Sequence, residues 1–260
     1  MALIQVNFVS SCLKRTVPMQ VVLPVDKIFG DSNESTEPKP FKTLYLLHGL
    51  LGNYTDWVTN TRILQWAEAK NLAVVMPSGD NSFYIDHKIP NNNYGQFIGQ
   101  ELVEITRKMF PLSHKREDTF IAGLSMGGYG AIRNGLVYGE TFSHIAGLSS
   151  AVYFFEKPLD APGRSLMGED SVFGDMYAAS FTNKNPRVAL KELQERNLPM
   201  PKIYMSCGLQ DRLLEPNRTL KAFFEENGLD VTYEEMEGNH NWDFWNDQIQ
   251  KVLNWLPLEE

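Results

Sequence analysis

Five short apolar runs recur along the chain: residues 43–49 (TLYLLHG), 72–79 (LAVVMPSG), 119–123 (TFIAG), 144–150 (HIAGLSS) and 202–208 (KIYMSCG). Their hydrophobicity is continuous rather than alternating, as in strands buried on both faces, and such strands belong to parallel sheets covered by helices. Helical spacing fills the intervals, at 60–70, 95–109, 127–138, 186–196, 216–227 and 242–256. Phe97, Leu102, Ile105 and Met109, three to five residues apart, mark the apolar face of the second. Residues 2–9 and 17–23, joined by a short polar connection, suit an antiparallel pair, and 231–237 adds a more polar last strand. The alternation implies an α/β architecture: about eight strands, mostly parallel, with helices on both faces. No linker divides the 260 residues, so one domain over 1–260 is expected.

Two stretches break the pattern. Residues 30–42 (GDSNESTEPKPFK) are polar with two prolines and read as a loop. Residues 151–185 are rich in aromatics, glycine and methionine. A structureless loop of that length is unusual in a compact domain. We read it as a small cap insertion of short helices over the carboxyl edge of the sheet, where open α/β folds bind ligands. The competing reading is a surface excursion that packs its own aromatics.

Composition narrows the function. A net charge of −8 argues against a nucleic-acid surface. No apolar run approaches the ~20 residues needed to cross a bilayer, so no membrane partner is expected. The first residues alternate like a strand and lack the basic and apolar regions of a secretion signal. Two cysteines, Cys12 and Cys207, make neither a disulfide framework nor a metal site. Reduced thiols in a cytoplasmic protein are the expectation.

One stretch carries chemistry. In IAGLSMGGYGA, residues 121–131, Ser125 stands between Gly123 and Gly127, behind the TFIA strand and ahead of a helix. Serine is a poor nucleophile until a base takes its proton, an acid orients that base, and donors meet the developing oxyanion. A sharp strand-to-helix turn exposes Oγ and aims a helix N-terminus at the reacting carbonyl. In this context Gly-x-Ser-x-Gly is the nucleophile-elbow pattern of α/β-hydrolases, whose triad runs serine, acid, histidine.

That order eliminates most candidates. His48, His87 and His114 precede Ser125, and His144 starts the very next strand. His240 remains, on the loop between the last strand and the last helix. A lone loop histidine is ordinarily a packing or surface residue; order and elimination reverse that here. Asp211, on the loop after 202–208, is the acid at the right strand end. Asp230 starts a strand, at the wrong end of the sheet. Arg212 allows a rival reading of Asp211 as a surface ion pair. The oxyanion donors are the N–H of Met126 and the N–H of Leu50, with Leu51 next in line. His48 is then structural, shaping its loop. No metal or organic cofactor is required.

At these residues the chain resembles the esterase D-like family of α/β-hydrolases, most closely the bacterial tributyrin esterase group. The matching pieces are LLHGLLGNYTDW (46–57), MPSGDNSFYID (76–86), GLSMGGYGA (123–131), CGLQDRLLEPN (207–217) and GNHNWDFWNDQI (238–249). The resemblance implies the α/β-hydrolase fold, Ser125 as nucleophile, Asp211 as acid, His240 as base and the His48-Gly49-Leu50 loop as oxyanion hole. It also implies hydrolysis of short acyl or small aromatic esters, with feruloyl esterases and S-formylglutathione hydrolases as relatives, and a homo-oligomer, dimer or tetramer.

The leading expectation is therefore a serine carboxylesterase for small esters. The alternatives are a formylglutathione-type thioesterase and, from another class, a non-catalytic binding protein on the same fold. Trp57, Tyr84, Tyr153 and Trp242 are the candidate pocket residues, with Phe83, Tyr94 and Trp245 nearby, although core packing is the competing role for each, above all for Trp245. Asn81 and Asp86 are candidate polar contacts, and Phe154, Phe155 and Met167 of the insertion could close over the acyl chain.

Overall fold

A computed structural model describes residues 1–26, 39–156 and 170–258. Most of the 30–42 loop and the middle of the 151–185 insertion, with Met167, lie outside them. The strands are β1 (Ala2–Ser10), β2 (Arg15–Leu23), β3 (Lys42–Leu47), β4 (Leu72–Pro77), β5 (Thr119–Leu124), β6 (His144–Leu148), β7 (Lys202–Gly208) and β8 (Val231–Met236). They form one sheet in the order β1-β2-β4-β3-β5-β6-β7-β8. β1 pairs antiparallel with β2, and β2 with β4; every other pairing is parallel.

Alternate residues of the buried strands feed two cores. Tyr45 and Leu47 point to one face, with Ile132 and Leu136 of the Met126–Val137 helix. Leu44 and Leu46 point to the other, with Ile249 and Val252 of the Trp242–Trp255 helix. Both faces are covered, which is why these runs are continuously apolar; each fully buried Leu or Val contributes about 1.5–3 kcal/mol.

The helix expected at 60–70 is two helices, Asp56–Asn60 and Ile63–Ala69. Thr61, extended between them, accepts the Ile63 N–H on Oγ1 and turns its own proton to the Trp57 carbonyl. A short hydroxyl side chain thus competes with the helix backbone and breaks it. In the insertion, short helices occupy Tyr153–Glu156, Asp170–Phe173 and Met176–Ala179.

Candidate active site

The register of the central strands sets the site. Gly123 lies opposite Leu47, and Leu124 opposite Leu148. Ser125 therefore leaves β5 just past the carboxyl edge, where its N–H donates to the Leu148 carbonyl at 2.8 Å. Its backbone has φ 53° and ψ −116°, a left-handed strain for serine, and Met126 opens the helix immediately after it. The flanking glycines are steric necessities. A Cβ on Gly123 would lie 2.3 Å from the Gly127 carbonyl oxygen, and one on Gly127 would lie 2.5 Å from the carbonyl oxygens of Leu47 and His48.

Three loops converge on the serine. His240 Nε2 is 2.9 Å from Ser125 Oγ, and His240 Nδ1 is 2.8 Å from Asp211 Oδ2. The Asp211 side chain is fully buried, whereas that of His240 is 25% exposed, so the imidazole can meet a small molecule and the carboxylate cannot. Asp211 Oδ1 accepts the Leu213 N–H at 2.9 Å. Burial pushes the Asp211 carboxyl up, but the hydrogen bonds from His240 and the Leu213 N–H, with help from Ser149, outweigh it and hold the acid below its ordinary value. Gln210 ties the two loops together: its N–H donates to the Gly238 carbonyl, and its Oε1 accepts the Gly238 N–H. The rival ion pair of Asp211 with Arg212 does not form. Arg212 is exposed, on the wall of the cavity above.

Opposite the serine, the Gly49–Gly52 loop is held from below. His48 Nδ1 donates to the Gly49 carbonyl at 2.7 Å, and Nε2 accepts the Gly79 N–H at 2.9 Å. Those partners fix the neutral tautomer, and burial pushes the ring below its ordinary value in the same sense. The Tyr84 hydroxyl donates to the His48 carbonyl. Leu51 spends its N–H on Asn81 Oδ1 at 2.8 Å, so Asn81 braces the loop and Leu51 is no longer a free donor. Neither Leu50 N–H nor Met126 N–H has an acceptor among the described residues.

A cavity of about 340 Å³ opens over Ser125. Its wall includes Leu50, Phe83, Tyr153, Leu213, Trp242 and Trp245. Two expected pocket residues are corrected. Trp57 is buried with its indole N–H on the Leu47 carbonyl, and it touches Trp242 edge-on rather than the cavity. Tyr84 is fully buried beneath the Gly49–Gly52 loop. Tyr94 bonds Asp80 and Arg15, and Asp86 accepts the Gln96 N–H, both away from the cavity. Of the insertion, Tyr153 reaches the wall, whereas Phe154 and Phe155 pack on Tyr129 and Phe173.

The esterase family model, described as "Putative esterase", matches residues 10–256. The chain belongs to this esterase family. It is 42% identical over 261 residues to an acetyl esterase of Caldicellulosiruptor saccharolyticus, covering 98% of each chain. Among solved structures, this esterase is similar to the fluorophosphonate-binding serine hydrolase FphF of Staphylococcus aureus, with a TM-score of 0.85 and 30% identity over 98% of both chains. It is also similar to the S-formylglutathione hydrolase FrmB of Staphylococcus aureus, with a TM-score of 0.83 and 29% identity, again over 98% of both. The fold is that of the α/β-hydrolases, and the chemistry is that of a carboxylic ester hydrolase.

Some of the cavity wall escaped the sequence. Asp56, Leu124 and Ala151 of this esterase line it, yet nothing in their local pattern marks them. Phe83 and Tyr84 both have positive φ, 52° and 55°, and that local twist sends Phe83 to the cavity and Tyr84 beneath the loop. No helix among the described residues is long and apolar enough to cross a membrane.

Proposed function

We propose that this esterase hydrolyses short-chain acyl esters and small aromatic esters through Ser125, His240 and Asp211. The observation that carries the reading is the unbroken run from Ser125 Oγ through His240 to buried Asp211 at the floor of a small cavity with aromatic walls. Ser125 Oγ attacks the ester carbonyl while His240 Nε2 takes its proton. The new oxyanion is met by the N–H groups of Met126 and Leu50. Asp211 holds the imidazole in the tautomer that presents a bare Nε2 and balances the imidazolium once formed. His240 returns the proton to the departing alcohol, leaving the acyl group on Ser125. It then draws a proton from water, whose oxygen attacks the acyl carbon; as the bond from that carbon to Ser125 Oγ breaks, His240 gives the proton to Oγ and the acid leaves.

A cavity of about 340 Å³ sits at the small end of ligand pockets, which favours acetyl, butyryl and compact feruloyl or cinnamoyl groups over long chains. The similarity to an acetyl esterase points the same way. A second reading, thioester hydrolysis, is supported by the similarity to FrmB. A panel of acetyl, butyryl, octanoyl and feruloyl esters, with matched thioesters and S-formylglutathione, separates them. We expect kcat/KM to fall steeply beyond butyryl and to favour oxygen esters; a marked preference for S-formylglutathione would transfer the assignment to the second reading. Free thiols at Cys12 and Cys207 support a cytoplasmic setting.

A further inference from the structure

Behind the acid lies a buried polar chain that the reaction above does not use. Ser149 follows β6 directly, and its side chain has no exposure. Its N–H donates to the Ser206 carbonyl at 2.7 Å, which fastens it between the ends of β6 and β7, one strand position from Cys207. Its φ is 45°, the second left-handed serine of the site after Ser125. Such a backbone is costly for a residue with a Cβ, and glycine would remove the strain.

The hydroxyl has a fixed direction. Trp245 Nε1 lies 3.2 Å from Ser149 Oγ. An indole nitrogen only donates, so Ser149 Oγ accepts there and its own proton must point elsewhere. Two groups feel it, the Asp211 carboxylate and the Cys207 thiol, both of which it favours in the charged form. Burial holds the thiol protonated, so it is a weak acceptor, whereas the carboxylate is charged and buried. A charged oxygen is much the stronger acceptor. Trp245 also stands edge-on to the His240 ring, with centroids 4.9 Å apart at 87°. One indole therefore braces the base with its ring and, through Ser149, the acid with its N–H.

We propose that Ser149 is a positioning residue of this esterase: oriented by Trp245, its hydroxyl donates to Asp211 and fixes the carboxylate that holds His240. The inference rests on the reading of Ser125, Asp211 and His240 given above. Its electrostatic consequence has a definite sign. The positive end of the Ser149 hydroxyl opposes positive charge on His240 beyond the carboxylate. Removing it leaves the Asp211 carboxylate more strongly negative beside the ring, so the acid limb of the kcat/KM profile moves upward. The other ionisable groups around the pair are Cys207 on β7, Asp56 and Arg212 on the cavity wall, and Glu235 on β8, which acts on Cys207. All are unchanged in the variants below.

The test compares Ser149→Ala with Ser149→Gly, using p-nitrophenyl acetate across pH 5–9. Both lack the hydroxyl, but only glycine suits the backbone. We expect both to lower kcat about tenfold and to shift the acid limb upward by several tenths of a pH unit. Trp245→Phe keeps a ring against His240 without the N–H. It should give a smaller shift in the same direction in the wild-type background and none in the Ser149→Ala background, since both act through one chain. Wild-type acid limbs in the folded Ser149 variants would overturn the proposal, as would an undiminished Trp245→Phe shift in the Ser149→Ala background. If Ser149→Ala fails to fold, Ser149→Gly and Trp245→Phe still decide. Ser125→Ala assayed alongside separates the two levels. Activity surviving in it would overturn the triad reading, whereas a dead Ser125→Ala with unmoved Ser149 profiles would overturn only the role of Ser149.

Discussion

His240 and His144 sit at opposite ends of the same sheet, and their surroundings could hardly differ more. His240 lies beyond the carboxyl edge, partly exposed, between a buried carboxylate and a serine hydroxyl. His144 begins β6 at the other edge. Its ring is wedged edge-on against Phe120 and Trp255, with Nδ1 on the Ser143 hydroxyl. Burial, helped by Lys202, Arg116 and Lys42, pushes His144 down to about 4. What a histidine can do is set by the partners its edge supplies. In a parallel sheet the carboxyl edge gathers the loops that bring such partners, while the amino edge packs.

The largest expected effect lies at the carboxyl edge. Asp211→Asn replaces the acceptor of His240 Nδ1–H with an amide that favours the wrong tautomer. We expect kcat for p-nitrophenyl acetate to fall by about 10⁴, with little change in thermal stability. A loss under tenfold would break the contrast, because His240 would then need its acid no more than His144 does.

The smaller effect lies at the amino edge and appears in stability rather than rate. Between the unfolded histidine value of about 6.5 and the folded value of about 4, the unfolded chain holds a proton that folded His144 does not. Stability therefore rises with pH across that window and is lost as pH falls through it. His144→Phe should flatten the dependence of the urea midpoint on pH between about 4 and 6.5. It should not abolish it, because buried His48 titrates in the same sense. Activity at pH 8 should stay near wild type. An unchanged slope would show that His144 does not titrate with folding.

The two edges were also unequally legible. The meeting of Ser125, His240 and Asp211 at the carboxyl edge could be read because each is placed by backbone geometry that leaves a local mark. Gly123 and Gly127 are there because a Cβ would strike a neighbouring carbonyl. Asp211 and His240 each follow a strand whose apolar run announces its end. The elimination of Asp230 holds for the same reason: its carbonyl meets the Ile203 N–H near the start of β7. The cavity wall is different. Trp57 and Tyr84 lie close in sequence to the motif loops, yet their polar atoms are drawn inward to the Leu47 and His48 carbonyls. Which way a loop aromatic turns depends on acceptors supplied by distant strands. Ser149 was invisible for a related reason: nothing in HIAGLSS tells which serine meets a tryptophan nearly a hundred residues away. The break at Thr61 was missed because apolar spacing runs through it while one hydroxyl interrupts the backbone.

The central claim is that one serine, raised at the end of β5 and served by His240, carries the acyl group. The direct measurement is labelling of the folded wild-type protein with a fluorophosphonate probe, followed by peptide mass spectrometry. We expect a single adduct on Ser125, formed in step with loss of esterase activity, and no adduct in His240→Ala on the same timescale. An adduct on another residue, or complete inactivation with Ser125 unmodified, would contradict it.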